Sequence, residues 1–156
     1  MQPVWTSVIA VLGTLAGAIV SHGLAQRGAD RRHAQARTEQ LRQEQLVACR
    51  DVAAAATELR RSGNDLWHRR EERRKDKTIA AADDFYAHRT ALWRTYYHLR
   101  LLLDDVRLTA AAGEIIEGTS AIPDADSHEE LRRHRDAVSA LIEDFVAAGR
   151  YLRSVG

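Results

Sequence analysis

Two histidine-containing stretches offer the residues best suited to hold a metal ion. The stretch "HEELRRH", from His128 to His134, is close to the zinc-protease pattern H-E-x-x-H, which needs histidines four residues apart so that both imidazoles reach one metal. Here the second histidine follows six residues after the first, so the spacing fails. Asp65 and His68 have an i, i+3 spacing, but the additional Glu and Glu-x-x-His partners of a di-metal helical bundle are missing. The sequence therefore predicts no metal site and no cofactor.

The acidic and nucleophilic side chains do not form a catalytic pattern either. The pairs Asp83-Asp84 and Asp104-Asp105 are adjacent, and neighbours on a helix point about 100° apart, which does not suit a shared acid-base site. Solvated helix faces or charges at helix starts explain them. Cys49 is the only cysteine and has no histidine within one helical turn, which favours a buried structural thiol over a nucleophile. We therefore expect no catalytic residues and no enzyme activity.

Basic residues are concentrated in the first half of the chain. Residues 27–77 contain 14 basic and 9 acidic side chains, residues 78–156 contain 9 and 13, and the net charge is only +1. One cluster follows Trp67 and contains six residues suited to phosphate contacts: Arg69, Arg70, Arg73, Arg74, Lys75 and Lys77. Because three acidic residues interrupt this cluster, a solvated corner between two helices is the preferred interpretation. Nucleic acid is the alternative partner.

The N-terminal stretch Val4–Ala25 is 22 residues long and contains no charged side chain. As a helix it covers about 33 Å, close to the thickness of a bilayer core. A core helix or a cleaved signal peptide fits less well, because the run is apolar on all sides and no basic residue precedes it. The lipid bilayer is thus a predicted partner, and the basic flank places the remaining chain in the cytoplasm: Arg27, Arg31, Arg32 and Arg37.

Small residues within this stretch suggest contact between copies of the chain. Gly13 and Gly17 form a G-x-x-x-G pair, which lets two helix backbones approach closely in lipid. We therefore expect a homo-oligomer, or a complex with another membrane or cytoplasmic protein.

Helical periodicity describes the rest of the chain. Apolar and small residues with alternating spacings of four and three run from Ala34 to Leu66 and predict one long helix. This helix ends either at Ser62–Asp65 or within Arg73–Thr78, where Thr78 would cap the next helix. A second seam, from Ile79 to Ala110, carries the aromatic residues and is expected to supply the bulk of the core.

A loop rich in Gly, Pro, Ser and Asp precedes the last helix, which Asp126 or Ser127 caps. The predicted fold class is therefore all-α, with an N-terminal transmembrane helix that continues into a long stalk helix. The stalk packs with two further helices in an antiparallel three-helix arrangement. The domains are residues 1–26 (transmembrane helix) and 27–156 (cytoplasmic helical domain), and the helices of the latter cover about 30–76, 78–117 and 126–154.

The layout resembles that of a known class of proteins. A span of the type "VIAVLGTLAGAIVSHGLAQR", then "RR", an Ala/Arg-rich stalk and a short helix that ends in "FVAAGRYLRS" resemble small actinobacterial single-pass proteins with helical cytoplasmic domains. Small membrane proteins encoded on conjugative plasmids of those bacteria, of the KilB or spread type, are similar in size and layout. This resemblance implies a role in the spread of plasmids between cells.

Two functions follow from these features. The first is a membrane-anchored scaffold or adaptor that presents its helical domain to a protein partner and self-associates. The alternative is a membrane component of plasmid DNA transfer whose basic corner contacts nucleic acid.

Overall fold

The computed structural model describes the backbone of residues 3–73 and 75–153 and the side chains of residues 35–73 and 75–152. Four α-helices follow one another: α1 (Pro3–Glu71), α2 (Lys75–Leu102), α3 (Val106–Ala121) and α4 (His128–Arg150). Short 3-10 helices span Ile122–Asp124 and Tyr151–Arg153. The chain divides into two compact units, Met1–Gln40 and Leu41–Gly156, and the second contains the hydrophobic core and every site discussed below.

The prediction of a transmembrane helix is not supported. Among the residues that the structure describes, no helix is both long enough and apolar enough to cross a membrane. Charged side chains recur throughout residues 35–152, so the uncharged runs there are short. The predicted fold is therefore corrected to an all-α arrangement without a spanning helix in the described part of the chain.

Several predicted residues cannot be placed by their side chains. Val4–Ala25 with Gly13 and Gly17, and the flanking Arg27, Arg31 and Arg32, lie outside the range in which side chains are described. Arg37 is within that range and is exposed on α1.

Helix α1 passes unbroken through Ser62–Asp65 and ends at Glu71, so the earlier of the two alternative break points is wrong. Gly63 lies within this stretch and is buried. A Cβ atom there would be 3.3 Å from side-chain atoms of both Ile122 and Phe85. The close approach of these two residues explains why glycine occupies a helix interior despite its low helix propensity.

The turn between α1 and α2 differs in detail from the prediction. Helix α2 begins at Lys75, and Thr78 therefore lies in its first turn rather than capping it. The Thr78 hydroxyl donates a hydrogen bond to the carbonyl oxygen of Arg69, at 3.1 Å. Arg73 has a φ of 55°, in the left-handed region, and this residue reverses the chain direction between the helices.

The helix predicted over 78–117 is two helices, and the three-helix arrangement is therefore wrong. Helix α2 ends at Leu102, and α3 begins at Val106. Asp105 caps α3, because its Oδ1 accepts hydrogen bonds from the backbone N–H groups of Arg107 (2.9 Å) and Leu108 (3.2 Å). The capped start of α3 therefore divides the second seam, whose apolar spacing is continuous in the sequence, between two helices.

The core combines residues from all four helices. On α1 and α2 large buried side chains recur every seven residues, as the predicted seams require: Val52, Leu59 and Leu66 on α1, and Phe85, Leu92 and Leu99 on α2. Ile115 of α3 and Phe145 of α4 are also fully buried. Ile79 and Val106, predicted to be in the second seam, are instead exposed.

The linker between α3 and α4 is fixed at both ends. Trp67 of α1 donates from its indole Nε1 to the carbonyl oxygen of Ala125, at 2.6 Å and fully buried. Of the two predicted caps for α4, Ser127 is the observed one, because its hydroxyl oxygen accepts from the backbone N–H of Glu130 at 3.2 Å. The Glu130 carboxylate in turn accepts from the N–H of Asp126 at 2.9 Å, so both sides of the helix start are bonded.

Candidate nucleic-acid interface

The six predicted phosphate-contacting residues are here called the basic corner, and the five of them that the structure describes lie at the turn between α1 and α2: Arg69, Arg70, Arg73, Lys75 and Lys77. Arg69 is bonded to two carboxylates of its own helix and turn, Asp65 at 3.3 Å and Glu72 at 3.2 Å. The hydrogen bond with Glu72, followed by the charge of Asp65, raises the pKa of the Arg69 guanidinium above its ordinary value. Its positive charge is therefore locally compensated.

Arg70 of the basic corner holds the α3–α4 linker. Its guanidinium donates to the carbonyl oxygen of Pro123 at 2.7 Å and to the carboxylate of Asp124 at 3.3 Å. The contact lies beside the Trp67 hydrogen bond to Ala125, so that adjacent turns of α1 fasten the same linker. Arg70 therefore contributes to the fold, and its donors are partly used.

Arg73, Lys75 and Lys77 of the basic corner are exposed. Among the described residues, Arg73, Lys75 and Lys77 make no ion pair, whereas Arg74 lies outside the described range. Arg70, Arg73 and Lys75 line a shallow cavity of about 460 Å³ together with Thr78 and Ile79. Three of the predicted residues, Arg70, Arg73 and Lys75, therefore line one cavity. Two of the six, Arg69 and Arg70, are bonded to other groups of the chain.

A second basic surface, which the sequence reasoning missed, lies along α2. Because Phe85, Leu92 and Leu99 face the core, the residues one position later form a row about 100° further round the helix. This row and its neighbours are here called the α2 surface: Tyr86, Arg89, Trp93, Tyr97, Arg100 and Leu101. Tyr86 is 58% exposed, Tyr97 54% and Leu101 85%.

The aromatic rings of the α2 surface form one cluster. Trp93 and Tyr97 are stacked, with ring centroids 5.5 Å apart and an interplanar angle of 29°. Tyr96 meets Trp93 edge-on at 5.6 Å, and the Arg100 guanidinium lies 5.7 Å from the centroid of the Tyr96 ring. These contacts hold the rings in fixed orientations while Tyr97 keeps more than half of its surface open to solvent.

The charge of this part of α2 is of one sign. The segment from Phe85 to Leu103 contains no Asp or Glu, but it contains three arginines: Arg89, Arg94 and Arg100. Among the described residues these three arginines make no ion pair. Uncompensated guanidinium groups beside exposed rings can bind phosphate oxygens and stack on bases.

The sequence did contain a signal for this surface. After Asp30, the 19 residues from Phe85 to Leu103 are the longest stretch without a carboxylate, and this stretch coincides with the densest aromatic run. Of the aromatics that the second seam assigned to the core, Phe85 is buried and Trp93 and Tyr96 are partly buried against the core, whereas Tyr86 is exposed. Tyr86 follows Phe85 by one position and Tyr97 precedes Leu99 by two positions, which turns both tyrosines away from the buried row.

The histidines and the cysteine that were considered as metal ligands or nucleophiles lie close to other side chains of the fold. His128 packs against the Trp67 ring, with centroids 4.6 Å apart, and His134 lies 3.9 Å from a Glu130 carboxylate oxygen. Burial raises the pKa of the Cys49 thiol to about 11, and the charge of Asp105 acts in the same direction. Within the described residues, no group of three His, Cys, Asp or Glu side chains could hold a metal ion.

Comparison with known proteins identifies the family. Neither the curated proteins nor the solved structures contain a significant match to this chain. Among protein families, that of the KilB plasmid transfer protein matches residues 46–153. This match covers helix α1 from Leu46 onward and all of α2, α3 and α4, so it includes the α2 surface and the basic corner. The resemblance to KilB proteins noted in the sequence is thereby confirmed, and the chain belongs to the KilB plasmid transfer protein family.

Proposed function

We propose that the chain acts in plasmid transfer as a DNA-binding component and that the α2 surface makes the contact. Membership of the KilB family supports the process. The observation that carries the contact is the carboxylate-free segment of α2, in which three unpaired arginines accompany exposed aromatic rings.

The spacing of these groups suits an extended polyanion. From Arg89 to Arg100 the helix rises about 17 Å, a distance over which duplex DNA presents several phosphates on each strand. Arginine presents several N–H donors in a fixed plane, which favours paired contacts with phosphate oxygens. Tyr97 and Tyr86 add ring faces and hydroxyl groups on the same side of the helix.

Fluorescence anisotropy with the purified full-length chain tests this proposal. Labelled duplex and single-stranded DNA of mixed sequence are titrated at several salt concentrations between about 50 and 200 mM, and the logarithm of the affinity is expected to fall linearly with the logarithm of the salt concentration. Arg133→Gln is the matched control, because Arg133 is an exposed arginine of α4 outside both basic surfaces. Absence of binding at low salt, or binding that does not change with salt, would contradict the proposal.

A protein partner remains a second candidate function. An apolar groove between α1 and α4 favours it, and this groove is separate from the α2 surface. The two functions are compatible, because a transfer component that holds DNA on one face can bind a protein through another.

A further inference from the structure

A groove between α1 and α4 has a volume of about 720 Å³ and is lined mostly by apolar or small side chains. Leu46, Ala53 and Ala54 line it on α1, and Ile142 and Val146 line it on α4. Gly149 and Cys49 form part of the lining where the two helices meet, since a Cβ on Gly149 would be 3.7 Å from the Cys49 sulfur. Small residues on both helices therefore leave a trough rather than a filled helix-helix contact.

The shape of this groove fits another helix. On α1 its lining extends from Gln43 to Thr57, which corresponds to a length of about 21 Å, or roughly four helical turns. Lining positions 46, 50, 53 and 57 follow the alternating spacing of four and three that accepts a helix lengthwise. Val146 of the lining is partly exposed, and Val47, which follows Leu46 on α1, is also partly exposed.

The charge of the groove indicates the kind of helix. The described residues that line the groove include two arginines, Arg50 and Arg150, and no acidic residue. Arg50 donates from its Nε and one terminal nitrogen to the Asp51 carboxylate, at 3.1 and 2.8 Å, so its charge is locally compensated. Arg150, at the end of α4, makes no ion pair within the described part of the chain.

We propose that the α1–α4 groove binds an acidic amphipathic helix of a different protein of the transfer apparatus. The apolar face of that helix would lie on Ala53, Ala54 and Val146, and its carboxylates would meet Arg150. A second copy of this chain is a poorer occupant. Among the described residues, the exposed aromatic and apolar side chains of α2 are accompanied by unpaired arginines, which would be brought against Arg150 at the groove rim. The inference goes beyond DNA binding and does not depend on it, since it concerns other helices.

Site-specific photo-crosslinking in donor cells that express the full-length chain tests this inference. Benzoylphenylalanine replaces Ala54 in the groove and, as the matched control, Ala140, which is exposed on α4 outside the groove. The crosslinked peptide is identified by mass spectrometry. We expect a crosslink from position 54, and not from position 140, to a segment of another protein with apolar residues at helical spacing and flanking Asp or Glu.

A charge variant makes the test sharper. In the Ala54-crosslinking chain, Arg150→Glu is expected to lower the crosslink yield about twofold to fivefold, as reversal of a rim charge would, whereas Arg133→Glu leaves it unchanged. A crosslink to a second copy of this chain, to DNA or to a segment without acidic residues would overturn the inference. So would a yield no higher than that of the Ala140 control. Each of these results leaves the anisotropy test of DNA binding unaffected, so the two proposals fail independently.

Discussion

The basic corner and the α2 surface are both rich in arginine, yet their arginines serve different ends. In the corner, Arg69 is bonded to two carboxylates and Arg70 to a carbonyl oxygen and a carboxylate of the linker. On α2, Arg89 and Arg100 have no carboxylate within the same stretch of helix. Charge counted along a sequence therefore says less about binding than the distance from each cation to the nearest anion.

The two regions also differ in their aromatic residues. Trp67, beside the corner, is buried and uses its N–H group on the Ala125 carbonyl oxygen. Trp93 and Tyr97 of the α2 surface stack on each other and leave ring surface exposed. An aromatic residue beside arginines thus stabilises the linker in one region and is available to a ligand in the other.

The largest expected effect comes from removal of the charge of α2. The triple variant Arg89→Gln, Arg94→Gln, Arg100→Gln should bind DNA about tenfold to a hundredfold more weakly near 100 mM salt. The slope of the logarithm of the affinity against the logarithm of the salt concentration should be less steep by about three. Circular dichroism should remain helical, because none of the three makes an ion pair among the described residues. Equal affinity of the variant and the parent chain would remove the distinction between the two regions.

A substitution beside the corner should change stability rather than binding. Trp67→Phe removes the indole donor and leaves the buried Ala125 carbonyl oxygen without its 2.6 Å partner. We expect the free energy of unfolding to fall by about 2 kcal/mol, measured by urea denaturation, while DNA affinity below the transition is unchanged. A variant with parental stability would show that the linker is not held in this way.

Removal of one exposed ring should weaken binding with little loss of stability. Tyr97→Ala is expected to lower DNA affinity by about tenfold, in the range of one lost base-aromatic stacking contact. Its unfolding free energy should change by less than about 1 kcal/mol, since the side chain is mostly exposed. Tyr97→Phe keeps the ring and is the control; if both variants bind equally poorly, the hydroxyl rather than stacking is responsible.

The smallest effect is expected at a compensated arginine. Arg69→Gln should change DNA affinity less than about twofold, because Asp65 and Glu72 already neutralise the guanidinium locally. The same anisotropy titration measures it. A loss comparable to that of a single α2 arginine would place DNA at the corner as well.

The sequence predicts the helical class and most of the core of this chain because both depend on periodicity. The seven-residue recurrence of Val52, Leu59 and Leu66 can be read directly from the chain, and these residues are buried. The division between α2 and α3 could not be read in the same way. Asp104 and Asp105 look like any solvated pair until Asp105 is seen to accept two backbone N–H groups.

The candidate site was less predictable, because exposure depends on which neighbouring helix covers which face. The second seam groups Tyr86 with Phe85 and Trp93 with Leu92, and spacing alone cannot tell which member of each pair faces the core. The corner was similarly ambiguous. That Arg70 reaches the linker through Pro123, 53 positions away, is a tertiary contact with no local signature.

The most direct test of the central claim is to map where DNA touches the chain. Iodouracil-substituted DNA is photo-crosslinked to the full-length protein, the complex is digested with trypsin, and the modified peptides are sequenced. Cleavage after Arg89, Arg94 and Arg100 separates the peptide with Trp93 from the peptide with Tyr96 and Tyr97, and both from the corner peptide with Trp67. Crosslinks are expected in the peptide with Trp93 and in the peptide with Tyr96 and Tyr97, whereas crosslinks confined to the corner peptides of residues 62–77 or to peptides outside α2 would contradict DNA binding by the α2 surface.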